Sequence, residues 1–272
     1  MLYIVATPIG NRADASARMH DVLKQVDMIV AEHPDHTRRL LNQDLKGVRW
    51  VTIQDALEGS VASLVVRTLS EGKRVALVSD AGTPLISDPG YKVVRSAIDA
   101  GHQVSPIPGP SAVIAALSVS GLPTHQFFFS GFLPSAKHAR KEVLIQLGSR
   151  HETSVFYESP HRIQDTLLIM REVLPPDRGL VICREMTKQF ETFYHTNIAS
   201  ATQSLANCTK GEFVVVLAGK PREHVLSDQV KQFFSLMIPE VGKKVAIRSA
   251  VELFDVPKNL CYRWVEEHFD GQ

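Results

Sequence analysis

Side chains able to move a proton or hold a polar ligand gather just beyond short apolar runs. Residues 75–78 lead into Ser79-Asp80-Ala81-Gly82-Thr83-Pro84, and Ser87-Asp88-Pro89-Gly90 follows closely. Residues 2–6 lead into Thr7-Pro8-Ile9-Gly10-Asn11, and residues 102–107 into Pro108-Gly109-Pro110-Ser111. Glycines and small residues at such turns let backbone N–H and C=O groups approach a ligand closely. Asp80 suits acceptance of a ribose hydroxyl or an amino group, and equally an Asx turn closing its own loop. Asp80 and Asp88 are also metal-ligand types, but their Pro and Gly neighbours suit turn-forming roles, and no metal site is assigned.

Acid–base groups stand at further strand ends. Glu32 and His36 follow the run 28–31, Glu158 and His161 follow 153–157, and Arg184, Glu185 and Lys188 follow 179–183. A weakly acidic acceptor needs such a base or a nearby cation. Glu158 and Glu185 equally suit ion pairing with Arg162 and Arg184. For a polyanionic substrate the best cationic cluster is Lys137, Arg140 and Lys141, with Arg38, Arg39 and Arg162 weaker. The aromatic run 127–129 reads as buried strand before it reads as a stacking platform.

These groups need a scaffold that brings them together. Strand-like and helix-like stretches alternate from residue 2 to residue 107, which implies a parallel sheet with right-handed crossovers. The loops at 7–11, 80–90 and 108–111 then share one rim, where open α/β sheets bind ligands. A helix opens at Ser111, with Ser111 as its expected N-cap. Gly121-Leu122-Pro123 marks a boundary, giving an N-terminal α/β domain over 1–121 and a second α/β domain over 122–221. A tail over 222–272 reads as three short helices separated by Pro239 and Pro257.

Composition narrows the function classes. The 272 residues are 44% apolar and 22% charged, with a formal net charge of +1. That balance disfavours a wholly basic nucleic-acid binder while allowing a local basic face. The three cysteines, Cys183, Cys208 and Cys261, show neither a disulfide framework nor a metal knuckle. No apolar run reaches membrane-span length, and no basic leader precedes the first strand, so a cytoplasmic protein is expected. Fingerprints of dinucleotide-binding, P-loop, zinc-protease and nucleophile-elbow sites are absent.

The ordered blocks LYIVATPIGN, VALVSDAGTPLISDPGY, PIPGPSA, GLP, GFLP, FYESPHR, REMTKQFE and KGEFVVVLAG carry a resemblance. In order and spacing they resemble the ribosomal RNA small subunit methyltransferase I family, within the tetrapyrrole-methylase-like (class III) methyltransferases that use S-adenosylmethionine (SAM). The resemblance runs from residue 2 to about 269 and includes the helical tail. It implies two α/β domains with SAM in the cleft between them. It also implies a metal-independent homodimer that methylates the ribose 2′-hydroxyl of a cytidine in small-subunit rRNA, within the 30S particle. Carried onto this chain, Pro8, Asp80, Gly82, Thr83, Ser111, Ala112 and Tyr157 contact SAM. Glu32, Glu158 and Lys188 are the catalytic candidates, and Lys137, Arg140, Lys141 and Arg162 face RNA.

Two stretches depart from the family pattern. After the second strand this chain has Glu32-His33-Pro34-Asp35-His36-Thr37, where the family has an Asp-Thr-Arg core. After the third strand it has Thr52-Ile53-Gln54-Asp55 in place of a His-Asn-Glu patch. Both departures are expected on the acceptor side, leaving the SAM loops untouched. Two alternatives stay open: a same-fold SAM methylase acting on another RNA or a tetrapyrrole-like molecule, and a SAM- and RNA-binding factor without turnover.

Overall fold

The computed structural model describes residues 1–41, 45, 47–205, 210–221 and 226–269. Two five-stranded sheets dominate it. The first comprises β1 (Leu2–Val5), β2 (Met28–Ala31), β3 (Arg49–Thr52), β4 (Val75–Val78) and β5 (Val104–Ile107), all parallel in the order β3-β2-β4-β1-β5. β2 and β4 are buried at every position, as continuous apolar strands covered on both faces should be.

Helices supply both covers. On one face α3 (Glu58–Ser70) and α4 (Tyr91–Asp99) pack Val61, Val65, Leu69, Val93 and Ala97 against Leu2, Val30 and Leu77. On the other, α1 (Ala17–Leu23) packs Met19 and Leu23 against Val5, Ile29 and Ala76. α1 is capped by Ser16, whose hydroxyl accepts from the Met19 amide at 3.0 Å. α2 (Pro34–Leu41) begins at the proline, so the departing stretch after β2 is a helix start, with Pro34 in the first turn. The sequence placed that helix at about 38–43; its last two positions lie outside the described residues.

The second sheet is mixed, in the order β6-β7-β10-β8-β9. It contains β6 (Phe127–Phe132), β7 (Thr153–Glu158), β8 (Gly179–Arg184), β9 (Thr192–Asn197) and β10 (Phe213–Leu217). β6 and β7 run parallel, and β10 runs antiparallel to both of its neighbours. One face carries Phe156, Ile182, Phe213 and Val215 against α6 (Lys137–Ser149) and α7 (Ile163–Val173).

The opposite face matters more for the site. Val155, Val181, Val214 and Val216 pack on Val113, Ala116 and Leu117 of α5 (Ala112–Ser120), the helix that leaves the first sheet's rim. Burying each large apolar side chain there contributes about 1.5–3 kcal/mol. Gly121 ends α5 in the left-handed region at φ 66°, where the sequence marks its boundary. Because α5 covers the second sheet, both sheets belong to one compact unit, Met1–Lys220. A short helix, α8 (Ala201–Ser204), completes it.

The second unit, Pro221–Gln272, holds α9 (Asp228–Val241), α10 (Lys243–Phe254) and α11 (Lys258–Phe269). Phe234, Ile247, Cys261 and Val265 centre its own core, and Phe234 stacks on Trp264 at 5.7 Å. Pro239 does not separate helices, contrary to the sequence expectation. It lies inside the last turn of α9, and Gly242, at φ 79°, makes the break. No described helix is long and apolar enough to cross a membrane.

Candidate active site

Three loops at the carboxyl edge of the first sheet are stitched to one another. Thr7 and Gly82 exchange backbone hydrogen bonds at 2.8 and 3.0 Å, bridging the β1 and β4 loops. Thr83 Oγ1 donates to the Pro110 carbonyl at 3.1 Å, bridging to the β5 loop. Thr7 and Ser79 hydroxyls satisfy the carbonyls of Ser79 and Gly82 from within the loop. Gly82 takes φ 84°, and a Cβ there would stand 3.3 Å from Ile9. Only glycine fits this crossing comfortably.

A second fastening joins the two sheets. The Asn11 amide donates to Thr187 Oγ1 at 3.0 Å, and a side chain at Gly10 would run into Lys188 and Thr187. A cavity of about 360 Å³ opens between the sheets. Ile9, Ala81, Ile86 and Asp88 line one wall, and Phe132, Tyr157, Pro160 and Val214 the other. A smaller recess beside it is bounded by Gly82, Thr83, Ser111, Ala112 and Tyr157. A wider depression of about 500 Å³, near Phe128 and His151, lies at the other end of the second sheet. It has no converging loops, and Arg150 lies 3.7 Å over the Phe128 ring there.

The residues expected to meet the cofactor therefore assemble. Gly82, Thr83, Ser111, Ala112 and Tyr157 surround the cavity or its recess, whereas Asp80 lines neither and stands one residue before Ala81, and Pro8 is buried one residue before Ile9. Ser111 does not cap α5 with its side chain, contrary to expectation, because its hydroxyl makes no bond to the first turn. Ser111 lines the recess instead. Tyr157 meets Phe129 and Phe132 edge-on at 5.0 and 5.2 Å. Burial, and secondarily the Asp88 charge, push its phenol up to about 12.

Asp80 is already engaged, and by a residue of the departing stretch. Its Oδ2 lies 2.5 Å from His33 Nδ1, and its Oδ1 accepts from the His33 amide at 3.3 Å and Thr37 Oγ1 at 3.4 Å. His33 is raised above its ordinary value, chiefly by that hydrogen bond. The expectation that the stretch stays clear of the cofactor loops fails at this contact. Glu32, His33 and Asp80 bring ligand-type atoms within 4.8 Å, but His33 and Asp80 spend theirs on each other.

The catalytic candidates divide. Glu158 has a fully buried carboxylate that accepts from Arg162 at 2.8 Å, the Ser159 amide at 2.7 Å and Thr166 Oγ1 at 2.7 Å. Lys188 is clamped between Glu185 at 3.1 Å and Glu212 at 3.0 Å; burial opposes its charge, yet those carboxylates raise it. Glu185 is held low against its own burial by the Glu212 amide and Lys188. Both engaged groups are parts of the frame. Glu32 is half-buried at the end of β2.

The RNA candidates divide similarly. Arg140 corrects the sequence reading: it is only 4% exposed, because α6 turns positions 140, 144 and 147 inward. Its Nε and Nη1 have no hydrogen-bond partner among the described residues. Arg162 is consumed by Glu158, Ser159 Oγ and the Leu133 carbonyl. Lys141 pairs with Glu172 at 3.1 Å, while Lys137 is exposed at the start of α6. The cavity also uses Ile86, Phe132 and Glu212, which lie in the quoted blocks but were not singled out as site residues. Asp88 was read only as a turn residue or a metal-ligand type. A signal for it was the crowding of two Pro-Gly turns into one loop.

Comparison with known proteins accords with this geometry. The family described as Tetrapyrrole (Corrin/Porphyrin) Methylases matches residues 1–202. Ribosomal RNA small subunit methyltransferase I of Vibrio cholerae is 42% identical, covering 97% of this chain and 93% of that protein. The protein of the same name from Escherichia coli O157:H7 is 40% identical, covering 98% and 94%. Among solved structures, the methyltransferase CobJ superposes with a TM-score of 0.61 at 19% identity, over 80% of this chain and 93% of that one. Cobalt precorrin-4 methyltransferase gives 0.56 at 15% identity, over 80% and 94%, so these two speak for the fold alone. The chain belongs to the tetrapyrrole methylase family of methyltransferases, within the group of ribosomal RNA small subunit methyltransferase I proteins.

Proposed function

We propose that the protein is a SAM-dependent methyltransferase acting on the ribose 2′-hydroxyl of a cytidine in small-subunit rRNA, with the 30S particle as substrate and a homodimer as the working form. The observation that carries this is the stitched three-loop rim facing Tyr157 across a 360 Å³ cavity. The volume lies in the range of cofactor pockets, and its lining is mostly apolar with a few convergent polar groups. Ile9, Ile86 and Val214 suit an adenine ring, and Asp80 suits ribose hydroxyls once His33 yields. The Ser111 hydroxyl and the backbone near Gly82 and Thr83 suit the amino-acid end. Asp88 and the Tyr157 ring suit a positively charged sulfonium.

SAM supplies an electrophilic methyl group whose leaving group departs as a neutral thioether. The chain's contribution is then largely positioning and water exclusion. The linked loops hold the donor, the Glu158–Arg162–Thr166 and Glu185–Lys188–Glu212 networks fix the opposite wall, and the acceptor enters between them. Lys137, with Lys141 once freed from Glu172, supplies backbone-phosphate contacts.

The test is transfer of labelled methyl groups to under-methylated 30S particles, with free rRNA and total tRNA alongside. Nuclease digestion and mass spectrometry then locate the label. A 2′-O-methylcytidine in small-subunit rRNA is the expected product. Tight SAM binding with no transfer to any RNA overturns the reading.

A further inference from the structure

The loop after β4, residues 79–90, gives Ala81, Ile86, Ser87 and Asp88 to the cavity wall. Its front is fastened by Gly82 to Thr7 and by Thr83 to Pro110. Further along, Leu85 and Ser87 adopt left-handed backbone at φ 73° and 68°. Non-glycine residues persist in that region only where the surroundings over-determine them. At the rear end Gly90 is the N-cap of α4 at φ 137°, and a Cβ there would stand 2.7 Å from Leu77. That conformation and that close approach both disfavour Ser, Asp or Thr, the residues that ordinarily cap a helix from this position. Glu58 supplies the missing acceptor from another helix, 32 positions earlier in the chain. Its side chain is only 10% exposed, and Oε1 accepts from the Gly90 and Lys92 amides at 2.9 Å each. Oε2 faces Lys92 Nζ at 3.8 Å. A carboxylate there also complements the positive end of the α4 dipole. Glu58 opens α3, and the departing stretch after β3 leads straight into it through one turn of 3-10 helix, Asp55–Leu57.

We infer that Glu58 is a positioning residue for donor binding: by capping α4 from outside, it holds the Asp88 loop in the conformation that receives SAM. The inference rests on the proposed function and adds to it a residue that never touches the donor. Glu58 lines neither the cavity nor its recess, so it acts only through the loop. Without its carboxylate the Gly90 and Lys92 amides lose their shared acceptor. The rear anchor is then gone, and the left-handed turns at Leu85 and Ser87 are free to relax toward ordinary backbone. A loop that visits several conformations binds its ligand more weakly, in proportion to the fraction of time spent in the competent one. The rigidity of the donor wall thus comes from a side chain on α3, and the second departing stretch sets where that side chain begins its helix.

The experiment compares wild type, Glu58→Ala and Glu58→Gln. Equilibrium dialysis of labelled SAM gives the affinity, and methyl transfer to under-methylated 30S particles gives KM and kcat. Glu58→Ala should weaken SAM binding by about tenfold or more. Its KM for SAM should rise to match, with kcat at saturating SAM within about threefold of wild type and KM for 30S unchanged. Glu58→Gln keeps an oxygen that accepts both amides, so it should bind SAM within about threefold of wild type. Hydrogen exchange in the ligand-free proteins should find the Gly90 and Lys92 amides faster in Glu58→Ala and unchanged in Glu58→Gln. A cap that serves stability alone lowers the unfolding midpoint of Glu58→Ala and leaves the SAM affinity of the folded protein within about twofold. That result overturns the inference. Equal weakening in Glu58→Ala and Glu58→Gln overturns it too, because charge and not the cap then governs binding. Should Glu58→Ala not fold, Glu58→Asp, one methylene too short to reach both amides, takes its place with the same two outcomes. A wild type that binds SAM and methylates no RNA, with binding weakened in Glu58→Ala, removes the rRNA reading and leaves the inference standing. A wild type that binds no SAM removes both.

Discussion

Burial and the carboxylates of Glu32 and Asp80 raise Asp88 to about 6, whereas a hydrogen bond to Asp80 raises His33. The two shifts have the same sign and different causes. For Asp88 the folded chain favours the protonated form. That contribution is fully present below the ordinary value of 3.8 and is lost as pH rises through about 6. Wild type should therefore lose stability between pH 4 and 7, and the ligand-free Asp88→Asn protein should not. After allowance for partial exposure the difference at pH 7 is roughly 1 kcal/mol in favour of the variant, read from urea unfolding at several pH values. A protein that gives up stability at a cleft residue is one whose cleft is built for something else. For His33 the pair with Asp80 is fully formed below its ordinary value of 6.5 and weakens as pH rises through the raised one. An NMR titration of the imidazole should place His33 above ordinary histidines, and Asp80→Asn should return it to the ordinary range. An unshifted His33 in wild type counts against the contact. The sequence showed His33 as a departure but could not show its partner, which stands 47 positions away.

Element geometry explains why some charged residues read as functional turn out to be architectural. The basic stretch opening α6 looks like one face in a linear reading. Helical spacing instead sends Arg140 inward with Leu144 and Leu147, while Lys137, the first residue of the helix, stays out. That period was present in the sequence, but the cluster of charge outweighed it. A buried guanidinium with unmade hydrogen bonds is a standing destabilisation. Arg140→Met should accordingly leave SAM binding unchanged and raise stability by about 1 kcal/mol, measured by thermal unfolding. A loss of stability would mean that the guanidinium is satisfied by ordered water. Glu158 should behave in the opposite way. Removing its charge leaves Arg162 uncompensated beside a buried site, and an amide turns one of the two accepting oxygens that serve Ser159, Arg162 and Thr166 into a donor. Glu158→Gln should cost about 3 kcal/mol in urea unfolding, so any activity loss must be read after correcting for the folded fraction. Here the sequence offered both readings, ion-pair partner and catalytic acid. The short turn from the end of β7 to the start of α7 brings Arg162 back beside Glu158, and the geometry shows the pair.

At the scale of the whole molecule, the rim was legible because topology forces it. Parallel strands must deliver their loops to one edge, so Thr7, Gly82 and Pro110 could be brought together before any contact was known. The second sheet was less legible, since antiparallel β10 inserts between β7 and β8, and no local pattern announces a strand pairing across more than 50 residues. The net charge of +1 sets the remaining problem. A near-neutral protein can hold a polyanion only through a local group of free cations, and most cations near the cleft are committed to frame pairs. Lys137 is exposed and Lys141 is held only by a surface pair with Glu172, worth at most about 1 kcal/mol. If these two meet phosphates, Lys137→Ala should weaken 30S binding and flatten the dependence of log K on log salt by about one unit of slope. Lys141→Ala should act in the same direction and by less, because wild type must first break the Glu172 pair. Arg140→Met should leave the slope unchanged. Filter binding over a salt series separates these outcomes. Equal slopes in all three variants would move the RNA face away from α6 and on to cations elsewhere on the molecule.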